Sequence, residues 1–386
     1  MKLCCVINGL ETGGAEMMLC RLLGRLDRDR FEPVVISLID KGTLGESIET
    51  LAVPVYALGM SRGRLSVRGL WRLTRRLGLL KPDLIQGWMY HGNLAALVGR
   101  YLASPRSALL WNIRHSISDL ADEGRSTAWA IRGGALLSRS CGKIIYNSAV
   151  SARQHEALGY RSDRRVVIPN GFDCEEFKPA PGAGEALRKS LCLAPQDLLI
   201  GLIGRHHPVK DHANFFRAGS RLIATHKRVR FVLAGRGVEP ANATLTALIR
   251  ENGLDDRVRL LGERRDMPDL LAGLDIATSS SFGEGFPNVI GEAMACGVPC
   301  VVTDVGDSSR LVGDTGCVVP ARDPEALARA WGDLIKSGRD RRRRLGEKAR
   351  QRIVREFSLD AIARQYEVLY QEMAGRKRQG LRAAGA

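Results

Sequence analysis

The sequence predicts an α/β protein built from two doubly wound, parallel-sheet domains, and three observations carry that reading. At 386 residues the chain exceeds what one hydrophobic core usually supports. Short apolar runs of strand length alternate with helix-length amphipathic segments, the pattern of βα units around a parallel sheet. That alternation runs from residue 3 to about 168, meets a Pro/Ala/Gly-containing stretch at 178–182, and then begins again.

The composition bounds the class of protein. With 45% hydrophobic and 26% charged residues it is that of a soluble globular chain. No apolar run reaches the roughly 18 residues a membrane span needs. Residues 1–7 are too short for a signal segment and run straight into a glycine turn, so they read as a first strand. Nine scattered cysteines in apolar contexts fit reduced thiols in a cytoplasm better than disulfides, and none has zinc-ligand spacing. A formal net charge of +16 favours an anionic partner: a phosphorylated substrate, an anionic membrane face or nucleic acid.

In the first half, strand 3–7 leads into Asn8-Gly9-Leu10-Glu11-Thr12-Gly13-Gly14 and an apolar-periodic helix. A glycine-rich strand-to-helix turn suits a phosphate, because backbone N–H groups can approach the ligand closely. It is not G-x-G-x-x-G, which argues against a dinucleotide-dependent dehydrogenase. Strands follow at 34–38 and 53–58. Residues 64–81 read as an amphipathic helix with Val67, Leu70, Trp71 and Leu77 on one stripe and Arg68, Arg72, Arg75 and Arg76 on the other face. Such a face is either solvated or attracted to an anionic membrane. After a strand ending at Gln86, residues 88–93 read as a loop containing His91, before a helix at 94–102. Strand 109–113 ends in Arg114 and His115, which should face a cleft because open α/β sheets bind ligands beyond the carboxyl ends of their strands. Strand 144–146 precedes a capped helix at 149–158. Asp27-Arg28-Asp29 lies between a helix and a strand at the wrong end of the sheet for a metal site and reads as a solvated turn.

The second half opens at Val166-Val167-Ile168-Pro169-Asn170-Gly171, which places the domain boundary near Val166. Its strands fall at 198–203, 231–233, 258–261, 276–278, 300–303 and 316–319. Gly204 ends the first of these, and Arg205 and Lys210 bracket a proline turn; an Arg fork and a Lys point charge beyond a strand end suit a diphosphate. Gly235 ends the next strand, and Arg265 lies in a turn after the third. The stretch from Ser279 to Cys300 is the most informative. Three serines lead into Gly283-Glu284-Gly285-Phe286-Pro287-Asn288, then a short helix at 289–296 stopped by Gly297 and Pro299. Asn288 reads as a cap, and Asn288 and Glu292, four apart, share one face.

Glu284-x7-Glu292, set in E-G-F-P-N-V-I-G-E-A-M-A-C-G-V-P-C, resembles the signature of glycosyltransferase family 4. I-P-N-G-x-D and G-R-x-x-x-x-K, present from Ile168 to Asp173 and from Gly204 to Lys210, are similar to further motifs of that family. The resemblance implies the GT-B fold, two Rossmann-like domains facing each other across a cleft. It implies an acceptor-side domain over 1–165, a nucleotide-sugar domain over 166–358, a last helix at 359–374 packing back on the first domain, and a frayed basic tail at 375–386. It also implies a retaining, metal-independent hexosyltransferase with no cofactor and with a nucleotide-sugar co-substrate, UDP more readily than GDP. By the same resemblance Arg205 and Lys210 hold the diphosphate, Glu284 the donor sugar and Glu292 the ribose. Gly204, Gly285, Phe286, Pro287, Asn288 and Val289 complete the site, Gly235 and Arg265 lie near the nucleotide, and Gly13 and Gly14 face the phosphates and the acceptor. His115 or His91 lies near the donor sugar.

The expected acceptor is a glycan or lipid-linked glycan of cell-surface polysaccharide or glycolipid synthesis. The expected location is cytoplasmic, at the inner face of the membrane, with peripheral contact to anionic lipid. A GT-B epimerase would share the site and would show itself in products formed without acceptor. A nucleic-acid-binding protein would want aromatic platforms among its basic residues, and only 5% of this chain is aromatic, so no specific nucleic acid is expected.

Overall fold

The computed structural model describes residues 1–61, 66–117 and 119–383, of which 122 and 376–383 are described by backbone alone. The chain forms two compact units, residues 1–171 with the segment from Leu359 onward, and residues 172–358. In the first unit, β1 (Lys2–Ile7), β2 (Glu32–Ser37), β3 (Val55–Ala57), β4 (Leu84–Trp88), β5 (Ala108–Ile113), β6 (Lys143–Tyr146) and β7 (Arg165–Val167) pair in parallel in the order β3-β2-β1-β4-β5-β6-β7. In the second, β8 (Leu198–Ile203), β9 (Val229–Ala234), β10 (Val258–Leu260), β11 (Ile276–Ser279), β12 (Cys300–Thr303) and β13 (Cys317–Val319) form a parallel sheet in the order β10-β9-β8-β11-β12-β13.

Both sheets are covered on two faces, which is why their strands read as nearly continuous apolar runs. The two-residue period sorts β1 cleanly: Leu3, Cys5 and Ile7 enter one core while Cys4 and Val6 enter the other. In β8, Leu199 and Ile203 face one core and Ile200 and Leu202 the other. Because the strand order reverses at β1/β4 and again at β8/β11, adjacent connections leave on opposite faces there, and a crevice opens at the carboxyl ends of those strands.

Several sequence expectations shift. Val166 pairs with Ile145 in the β6–β7 ladder, so the sheet of the first unit claims it and the division falls after Gly171. The last helix spans Leu359–Ala383 and runs on through Gly375, where a frayed tail is expected; residues 384–386 lie outside the described residues. Its Leu359, Ile362, Tyr366 and Tyr370 pack on the β1 face of the first unit, and the Tyr370 hydroxyl donates to Gln86 Oε1 at 2.7 Å. No loop follows β4: the helix Met89–Ala103 starts at once, and His91 sits in its first turn. The amphipathic helix is Val67–Leu80, its expected start at Arg64 lying outside the described residues. It buries Gly69, Leu73 and Leu77 and exposes Val67 and Trp71, so of the expected stripe Leu77 is buried, Leu70 is half-buried and the other two face out. Gly69 sets that rotation: a Cβ there would strike Met60 and the Ser66 hydroxyl, so the helix is seated on its glycine. All nine cysteines are free thiols, and burial pushes Cys5 and Cys296 up to about 12.

Candidate active site

The crevice at the β8/β11 ends holds a recess of about 210 Å³, lined by Gly204, Arg205, Lys210, Glu284 and the start of the helix Asn288–Ala295. Local hydrogen bonds fix each wall. Pro208–Lys210 make one 3-10 turn, and Asp211, left-handed at φ 48°, accepts the Asn214 N–H at 3.1 Å to cap the helix His212–Thr225. Ser280 Oγ donates to the Lys210 carbonyl at 2.8 Å and the Phe282 N–H donates to the Val209 carbonyl at 3.0 Å, so the turn and the loop after β11 support one another. From β12, Thr303 Oγ1 donates to the Ser281 carbonyl at 2.6 Å. Gly306, at φ 60°, lies against Glu284 so closely that a Cβ would collide with its carbonyl, and the Asp307 N–H donates to the Gly285 carbonyl at 3.1 Å.

Within this frame Lys210 Nζ donates to both Glu284 carboxylate oxygens, at 2.9 and 3.2 Å, with the two side chains 26% and 15% exposed. Arg205 is exposed and has no hydrogen bond or ion pair among the described residues. The recess therefore carries a lysine balanced by a glutamate, an uncommitted arginine, and the partial positive charge of a helix start. Such a site attracts an anion that can take the Arg fork and share the lysine. Glu292, half-buried, is one turn into the helix on the Asn288 face. Beneath the turn, burial, with His206 and Lys210 nearby, lowers His212 to about 4, so it packs as a neutral ring.

The other candidates separate. Phe286 is core: buried at 6% exposure, it stacks on Phe172 at 6.0 Å and meets Phe357 at 6.3 Å, so its aromatic ring is committed to packing although its backbone borders the recess. Pro287, not Asn288, holds the N-cap position and supplies no side-chain acceptor; Asn288 is the first helical residue and is exposed. Val289 lines the recess. Gly235 is required by close approach, since a Cβ there would collide with the Gly204 carbonyl where β8 and β9 end together. Arg265 is exposed beside the paired Arg264 and Asp266.

In the first unit, Gly13 caps the helix Gly14–Leu23, and Gly14 faces open space. Arg114 is not presented to a ligand. Nε and Nη2 donate to Asn170 Oδ1, Nη2 also to the Ile168 carbonyl, and Nη1 to the Tyr366 hydroxyl at 2.6 Å and Asn112 Oδ1 at 3.3 Å, which uses all five N–H groups. Placed at a strand end, it ties β5 to the chain after β7 and to the last helix, and burial lowers its pKa. His115 pairs through Nε2 with Glu123 Oε1 at 2.6 Å, edge-on to Tyr90. His91 is half-buried with its pKa lowered by burial, and lines a second, larger cavity. Sequence reading missed Gly306, Asp307 and Glu123; Gly306 and Asp307 support the loop from another strand, and Glu123 stands in no motif. The serine run was visible, but its role in pinning the loop was not.

A doubly wound sheet whose switch point opens on an arginine, a paired lysine and a helix start belongs to the α/β class and offers a recess suited to an anion. Two family models match the chain, Glycosyltransferase Family 4 over residues 12–176 and Glycosyl transferases group 1 over residues 197–337, and the chain belongs to this glycosyltransferase family. The lipopolysaccharide core biosynthesis mannosyltransferase LpsB of Rhizobium meliloti (strain 1021) is 29% identical over 263 residues, 66% of this chain and 71% of that protein. The N-acetyl-alpha-D-glucosaminyl L-malate synthase of Bacillus anthracis is 30% identical over 189 residues, so this match spans only about half of each, 48% and 49%. Anabaena HepE, solved in complex with UDP, superposes at a TM-score of 0.82 over 96% of this chain and all of that one, at 24% identity. WaaG, a glycosyltransferase involved in lipopolysaccharide biosynthesis, gives 0.68 at 14% identity, over 95% and 98%. These likenesses establish the GT-B fold.

Proposed function

We propose that this protein is a retaining glycosyltransferase. It moves a hexose-type sugar from a nucleoside diphosphate donor, UDP-linked in preference to GDP-linked, to a saccharide or lipid-linked acceptor in cell-surface polysaccharide or glycolipid synthesis. The observation that carries this reading is the recess at the β8/β11 switch point, with Arg205 uncommitted and Lys210 held by Glu284. Arg205 takes the diphosphate as a fork and Lys210 as a point charge; the negative charge that develops on the departing nucleoside diphosphate is then met by fixed cations. Glu284 accepts hydroxyls of the donor sugar, and Glu292 those of the ribose. The donor phosphate takes the proton of the acceptor hydroxyl on the face from which the leaving group departs, so the configuration is retained. With two fixed cations at the diphosphate, no metal or other cofactor is needed. Relatives that include a UDP-Gal:alpha-D-GlcNAc-diphosphoundecaprenol alpha-1,3-galactosyltransferase of Escherichia coli support the substrate class; that match is 30% identical over 219 residues.

The enzyme works in the cytoplasm, at the inner membrane face. Support for membrane contact narrows on the helix Val67–Leu80, because Arg72 donates to the Leu58 carbonyl at 2.8 Å and Arg76 lies over the Tyr56 ring. Arg68 and Arg75 beside the exposed Trp71 remain for an anionic surface. No helix among the described residues is long and apolar enough to cross a membrane. A thermal-shift screen of nucleotide sugars, repeated with EDTA, tests the reading. A UDP-sugar should raise the melting temperature equally with and without chelator, and no response to any nucleotide sugar would overturn the assignment.

A further inference from the structure

The first unit has its own switch point, between β1 and β4, and the chemistry there differs. A cavity of about 470 Å³ opens at it, within the size range of small-molecule sites, about 300–1,000 Å³. Asn8, just past β1, and His91, just past β4, contribute from the strand ends. The rest of the wall is mostly Leu38, Ile39, Met60, Leu94, Trp129 and Ala130. Among the described residues no Asp, Glu, Lys or Arg lines it. Among the described lining residues a bare saccharide finds few of the partners its hydroxyls need, and a phosphate finds no cation to replace its hydration. An apolar chain meets neither cost.

The surroundings say what such a chain is attached to. Helices Val67–Leu80, Met89–Ala103 and Arg125–Leu137 pack side by side, and together they carry seven arginines and not one Asp or Glu. They also hold nine of the thirteen large apolar side chains exposed among the described residues, including Trp71, Tyr101, Trp129 and Leu136. Trp129, 69% exposed, stands at the cavity with the Arg132 guanidinium over its ring, and Arg125 precedes the lining residue Ser126. Apolar rings interleaved with cations and free of carboxylates suit the boundary between hydrocarbon and an anionic headgroup.

The geometry points to this cavity as the seat of the alkyl or isoprenyl chain of a phosphate-bearing lipid acceptor, the chain lying against Leu38, Met60, Leu94 and Trp129 and the phosphate staying outside beside Arg125 and Arg132. This rests on the transferase reading above and selects the lipid-linked class of acceptor over the free saccharide. Among the described residues the side chains of Asn8 and His91 make no hydrogen bond or ion pair, which leaves two polar groups in the wall to hold a hydroxyl.

The test is calorimetric titration of the full chain with geranylgeranyl phosphate below its micellar concentration, with UDP titrated in parallel. Saturable binding is expected, weakened at least tenfold by Trp129→Ser, an exposed position that leaves the fold intact, and by Ala130→Phe, which fills the cavity. UDP affinity should be the same in all three proteins. Lipid binding that is absent, or unchanged in Trp129→Ser, would overturn the assignment. So would glycerol phosphate binding as tightly as the lipid, since the headgroup would then be the whole determinant. Lipid bound normally by a protein that fails to bind UDP would support the cavity and overturn the transferase reading instead.

Discussion

The two units obey the same topological rule and reach opposite chemistry. Each sheet reverses its strand order once, at β1/β4 and at β8/β11, and each has a cavity at that point. In the second unit the strand ends release Gly204-Arg205 and the serine loop to Glu284, and the smaller recess is charged and pinned by hydrogen bonds. In the first unit they release Asn8 and Met89-Tyr90-His91, and the larger cavity is walled by aliphatic side chains and a tryptophan. Topology fixes where a site lies, and the few residues just past the strands decide what it holds.

The largest effect that could break this comparison concerns Phe286, which lies within the site motif yet belongs to the core. Phe286→Ala should destabilise the second unit by about 3–5 kcal/mol, the cost of emptying a buried aromatic site. Calorimetry should show the unit 2 transition falling while that of unit 1 holds. A stable protein with lost donor binding would return Phe286 to the ligand. Next come the paired charges. Lys210→Ala and Glu284→Ala should each lower turnover by two orders of magnitude or more, about 3 kcal/mol of transition-state stabilisation, with folding unchanged. They should differ in binding: loss of Glu284 frees Lys210 and leaves UDP affinity equal or higher, whereas loss of Lys210 lowers it. Equal effects of both on UDP affinity would mean that the pair is merely structural.

The smallest effect asks whether the units differ in acid. Each holds one buried neutral histidine lowered to about 4, His155 in the first unit and His212 in the second, chiefly by burial. Since the unfolded ring titrates near 6.5, the unfolded state binds protons first, and stability present above that pH is lost as pH falls from about 6.5 to 4. The loss is at most about 3 kcal/mol for each ring. His155 Nε2 meets the Tyr90 hydroxyl at 2.8 Å and Nδ1 meets the Ser151 carbonyl at 2.7 Å, so its neutral form is bonded at both nitrogens. Urea unfolding followed against pH should show both units weakening over this window, and His155→Gln should flatten the dependence in the first unit alone. A pH-independent first unit would show that His155 is not held neutral.

Much of this was legible in the sequence because the signals were local. Apolar runs of strand length mark a covered parallel sheet, and the thirteen strands among the described residues fall where such runs stand, within a few residues at their ends. Lys210, Glu284 and the helix after Pro287 were readable from spacing and turn residues. What was not legible depends on neighbours distant in sequence. Leu77 fits a helical stripe with Leu70 or with Gly69 and Leu73; the packing of Met60 against Gly69 decided for the latter and turned Trp71 outward. Arg114 follows a strand as a ligand-binding arginine would, yet Tyr366, some 250 residues on, takes its guanidinium inward. The apolar cavity had no motif at all, because its wall is assembled from five separate segments.

The central claim is that the uncommitted Arg205 and the glutamate-held Lys210 form a diphosphate site. The most direct measurement is the affinity of the protein for UDP against UMP by titration calorimetry, in the wild type and in Arg205→Ala. Arg205 is exposed and has no partner among the described residues, so its removal should leave the fold unchanged. The wild type should prefer UDP by tenfold or more, about 1.4 kcal/mol for the second phosphate, and the variant should lose most of that preference. Equal affinity for UDP and UMP in the wild type, or an unchanged preference in Arg205→Ala, would contradict the claim.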